Sequence, residues 1–123
     1  MVSVSLPIFR GKYKAAQKED QLMQESYSLQ REEAANRLTS SYDMIWFEIQ
    51  EQIELIQLYE EQIRESRQSL NLLFAAYSNS GKDFEEVLRM QQQILKYQKM
   101  KATALSEYHI ALAELDYITA KSK

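Results

Sequence analysis

Between Lys12 and Ser80 the chain carries neither glycine nor proline, and from Lys82 to Lys123 it carries neither again. Those two residues are what tight turns are made from. A chain that forgoes them cannot build a β-sandwich, a doubly wound α/β sheet, or any design needing many reversals. What remains is an all-α fold of very long helices. With 123 residues there is material for one domain.

Within the first uninterrupted stretch the apolar residues keep a period of seven. Tyr42, Ile49, Ile56, Ile63, Leu70 and Tyr77 recur without a miss. Ile45, Tyr59 and Leu73 fill the matching row four residues earlier or three later, where Gln52 and Ser66 interrupt it. Trp46, Ile53 and Phe74 widen the stripe on one side. A sustained 3.5-residue period specifies a left-handed coiled-coil seam.

A second helix is expected after Gly81. Asp83 with Glu86, or Ser80 with Asp83, has capping-box spacing. Glu85 and Glu86 suit a helix N-terminus, and Lys121 and Lys123 a C-terminus. Phe84, Val87, Leu88, Ile94, Leu95, Ala102, Leu105, Tyr108, Leu112 and Leu115 are expected to hold the second seam. Met90, Tyr97, Ala104, Ala111 and Ile118 repeat every seven residues and read as a second flank, available to a further helix. The expected architecture is an antiparallel αα-hairpin over 11–123: a helix from about 12 to 78, a tip loop at 78–82, and a helix from about 83 to 120. At 1.5 Å per residue the arms would measure roughly 100 Å and roughly 60 Å, with an overhang of about 25 residues on the first. That overhang carries Leu22, Met23, Tyr27, Leu29 and Leu38, and apolar surface of this kind drives self-association.

Two alternatives stand beside this reading. Thr39, Ser40 and Ser41 are poor helix formers in a row, and a break there would give a three-helix bundle. Residues 1–10 read differently from the rest. Val2, Val4 and Leu6 alternate with Ser3 and Ser5, the pattern of a strand with one apolar face, bordered by Pro7. Residues 1–10 are therefore the end of a strand or a disordered tail.

Chemistry is sparse. Lys plus Arg is 15 and Asp plus Glu is 18, for a net charge of −3, so there is no basic footprint for nucleic acid. There is no cysteine and one histidine, His109. A metal or catalytic site has no companions for it, and His109 reads as a surface or seam residue. No glycine-rich phosphate loop occurs. The five methionines read as packing residues. Nothing suggests an enzyme, a cofactor or a metal. No segment reaches the apolar length of a membrane-spanning helix, and the first residues lack a signal-peptide pattern.

The order of features does resemble a known family. An alternating strand ending in Leu6-Pro7-Ile8-Phe9 leads into a very long helix. That helix reverses at Tyr77-Ser78-Asn79-Ser80-Gly81. Phe84-Glu85-Glu86-Val87-Leu88 follows, then Gln91, then Tyr108-His109-Ile110-Ala111-Leu112-Ala113-Glu114-Leu115. This sequence is similar to the C-terminal repeat of the TolC family of outer-membrane efflux channels. It is closest to the heavy-metal efflux branch, of the CusC and CzcC kind. The resemblance implies a segment of a homotrimeric channel with a barrel in the outer membrane and a helical tunnel in the periplasm. The tunnel tip would meet a periplasmic adaptor coupled to an inner-membrane pump. On this chain Val2, Val4 and Leu6 would end a barrel strand, and Tyr77, Ser78, Asn79, Ser80, Gly81 and Lys82 would form the adaptor-contacting tip. The chain's role would be that of a passive conduit.

Overall fold

The computed structural model describes residues 7–80 and 84–121, and these form two helices: α1, Pro7–Ser80, and α2, Phe84–Lys121. Among the described residues there is no strand. The alternating segment Val2–Leu6 lies outside them. Helical backbone begins at Pro7, five residues before the expected start. Proline is well suited to a first helical turn: its fixed φ is already helical, and its missing N–H would have had no partner there.

The chain divides into two compact units, Met1–Ser41 and Tyr42–Lys123. In the first, every described side chain from Arg10 to Ser41 is exposed. Helix here is held by local bonds. The Ser28 hydroxyl donates to the Glu25 carbonyl at 2.8 Å, and Arg37 pairs with Glu33 one turn away. The expected weak point at 39–41 is helical throughout. Thr39 Oγ1 donates to the Ala35 carbonyl at 3.0 Å, and Ser41 Oγ to the Arg37 carbonyl at 2.9 Å. Two of the three hydroxyls that could have started a turn, those of Thr39 and Ser41, are thus spent inside the helix.

The second unit is an antiparallel helix pair. Cross-helix contacts fix its register: Tyr77 lies against Phe84 with ring centroids 6.3 Å apart, Tyr59 against Tyr97 at 6.4 Å, and Glu60 against Lys101 at 2.7 Å. Farther along, Ile45 and Ile49 pack with Ala111. Residue numbers fall on one helix as they rise on the other. On α1 the heptad seam from Ile45 to Leu73 is buried or half-buried, including its polar members: Ser66 is 7% exposed. Tyr42 and Tyr77, at the two ends, remain exposed.

On α2 the buried stripe differs from the one expected. It runs Val87, Met90, Ile94, Tyr97, Lys101, Ala104, Tyr108, Ala111, Leu115 and Ile118, in alternating steps of three and four. Met90, Tyr97, Ala104, Ala111 and Ile118, read from the sequence as a flank for another helix, are therefore half of the hairpin's own seam. Their small members explain it: Ala104 and Ala111, 4% and 1% exposed, let the two backbones approach closely. Phe84, Leu88 and Leu105 lie one position off this stripe and are exposed, while Leu112 is half-buried at its edge.

Candidate functional site

Two surfaces of the second unit stand out. The first is the tip. α1 continues to Ser80, so Ser78, Asn79 and Ser80 are helical and not loop. Ser78 Oγ donates to the Phe74 carbonyl at 2.9 Å, which supports the last turns from within. Tyr77 is exposed and its ring meets that of Phe84, so aromatic surface caps the described end of the pair. Glu85 and Glu86 occupy the first turn of α2, where the helix dipole favours them. Gly81 and Lys82, the rest of the expected tip, lie outside the described residues.

The second surface is one long side of the helix pair. In heptad terms the positions flanking the seam on this side are Ile53, Glu60, Arg67 and Phe74 on α1, facing Leu105, Gln98, Gln91 and Phe84 on α2. The ends of this ladder are apolar. Phe74, Phe84 and Leu88 are 42%, 58% and 42% exposed at one end, and Leu105 is 43% exposed toward the other. The middle is polar, and there an open groove of about 490 Å³ lies between the helices. Glu60, Ile63, Arg64, Arg67, Gln68, Asn71, Gln98 and Lys101 line it.

The groove's charge follows from those residues. Lys101 sits at a seam position, where an apolar side chain would ordinarily close the interface. Its ammonium instead reaches out to Glu60 Oε1 at 2.7 Å. Arg64 touches Glu61 at 3.3 Å across an exposed turn. Arg67 adds a third cation to a wall whose one lining acid is Glu60. With Glu61 on Arg64 and Glu60 on Lys101, three cations meet two acids, and the groove carries one surplus positive charge, open to water and bracketed by apolar surface.

The sequence reading places the seam residues Ile49, Ile56, Ile63 and Leu70 of α1 and Val87 and Leu115 of α2 together in the helix pair. It does not single out Arg64, Arg67 and Lys101. The available signal is Lys101 itself, a charge standing at a seam position. Among the described residues no three His, Cys, Asp or Glu side chains converge as a metal site would require, and no helix is long and apolar enough to cross a membrane. His109 is exposed, with its ring 5.4 Å from that of Tyr108. Comparison with protein families, with curated proteins and with solved structures finds no match.

Proposed function

We propose that this chain is a wall segment of a helical tunnel, belonging to an outer-membrane efflux channel of a tripartite, heavy-metal type of export system. In that role it is a passive conduit. It works by packing beside further helices, and the tip around Tyr77–Lys82 contacts a periplasmic adaptor coupled to an inner-membrane pump. The observation that carries the reading is the exposed apolar flank of α2. Phe84, Leu88, Leu95 and Leu105 remain exposed after the hairpin has closed its own seam. A helix pair whose flank is still apolar is built to sit beside more helices. Unequal arms, Pro7–Ser80 against Phe84–Lys121, also suit a tunnel segment better than a freestanding hairpin of matched helices. In the parent channel the assembly is a homotrimer. The chain by itself self-associates through the same surfaces.

The second reading is a self-contained coiled-coil tether. It is favoured by one observation, that the α2 stripe Met90, Tyr97, Ala104, Ala111 and Ile118 is already used within the hairpin.

An immunoblot of fractionated cells that make this protein separates the two. The channel reading expects a band several times larger than 14.5 kDa in the outer-membrane fraction. A band of that smaller mass in the soluble fraction would overturn it in favour of the tether.

A further inference from the structure

The groove and the first unit carry matching patterns of opposite sign. Along the groove the order is apolar at Phe74 and Phe84, basic at Arg67 and Arg64, mixed at Glu60 and Lys101, which pair with each other, and apolar again toward Ile53 and Leu105. On the first unit Tyr13, Asp20 and Tyr27 are spaced by seven. Ala16, Glu19 and Met23 lie beside them on the same helical face. The order there is apolar, acidic, apolar. Tyr13, Met23 and Tyr27 are 76%, 54% and 62% exposed, so the face is free to pack. Lys14 and Lys18 fall on the opposite side of that helix; Lys12, one heptad before Glu19 and beside Tyr13, Ala16 and Asp20, offsets one of the two acids and leaves the face net acidic by one charge. Arg67 and Phe74 are one heptad apart, the same step that separates Asp20 from either tyrosine.

We propose that residues 13–27 of a second copy of this chain fill the groove, with Glu19 and Asp20 against Arg64 and Arg67. One tyrosine then lies on the Phe74–Phe84 aromatic surface. The contact adds a third helix to a two-helix seam, and burying its apolar flank supplies the driving force that exposed ion pairs do not. The inference rests on the self-association proposed above and names the surfaces that carry it.

The test is sedimentation velocity on the 123-residue chain across micromolar concentrations, with three variants. One carries Arg64→Glu and Arg67→Glu, one carries Glu19→Lys and Asp20→Lys, and one combines all four changes. All four positions are exposed, and circular dichroism verifies that helicity is retained. We expect the parent chain to associate, each double reversal to weaken association about tenfold, and the combined variant to recover most of it. A parent chain that stays monomeric overturns both this inference and the self-association it rests on. Association that ignores the reversals, or is not recovered by the combination, overturns the assigned surfaces alone.

Discussion

Truncating Ile49 to alanine tests the packing of the helix pair directly. Ile49 is 3% exposed, and with Ile45 and Ala111 it forms a buried cluster against which Ile53, Tyr108 and Leu115 pack. The substitution removes three buried carbons, worth about 2.4 kcal/mol at about 0.8 kcal/mol each. A two-helix seam is bordered by water on both sides, so neighbouring side chains and solvent fill the space readily. The cavity contribution then falls at the low end of the usual range. Alanine's better helix propensity returns about 0.4 kcal/mol. The expected net loss is about 2–2.5 kcal/mol. Urea unfolding followed by circular dichroism, at matched protein concentration, measures it. Met44→Ala is the control. Its side chain lies on the same helix but is 73% exposed, so its change should stay within about 0.5 kcal/mol. If the Ile49 variant unfolds within about 0.5 kcal/mol of the parent, or Met44 costs as much as Ile49, the assigned inner face is refuted.

Three further changes probe other features. Ser66→Ala should leave stability unchanged or raise it by up to about 1 kcal/mol in the same titration, because it replaces a buried hydroxyl with a stronger helix former. Lys101→Glu places a like charge beside Glu60 and should cost about 1 kcal/mol, an effect that shrinks in high salt; a loss unaffected by salt would assign Lys101 to packing. Ser40→Pro should cost about 3 kcal/mol locally and open 36–41 to proteolysis, while the urea midpoint of Tyr42–Lys123 stays unchanged. Proteolysis no faster than in the parent would contradict helical backbone through Thr39–Ser41.

The first arm was readable because large isoleucines mark its seam. Ile49, Ile56 and Ile63 announce the heptad, and even Gln52 and Ser66 can be placed by counting from them. The second arm was harder. Its innermost positions go to Ala104 and Ala111, while Leu88, Leu95 and Leu105 stand outside. Hydrophobicity ranks leucine above alanine, but burial follows the geometry of close helix approach, where a small side chain is what fits. The groove was illegible for a related reason. Arg64 and Arg67 look like ordinary solvated charges until α2 brings Gln98 and Lys101 across from them. The start of α1 turned on local chemistry, since Pro7 both borders a strand and opens a helix well, and the sequence does not choose between them.

The Lys101–Glu60 contact has a consequence apart from its small effect on stability. Every heptad of a coiled coil resembles the next, so α2 could meet α1, or the α1 of a neighbour, displaced by one repeat. A displacement of seven residues would set Lys101 beside Ile53 or beside Arg67. The first alternative leaves the ammonium on apolar surface, and the second opposes two cations. Each wrong pairing is therefore penalised on a residue that the correct one satisfies. A lysine that does little to hold the helices together thereby becomes a proofreader of which stretches of helix are allowed to stay together.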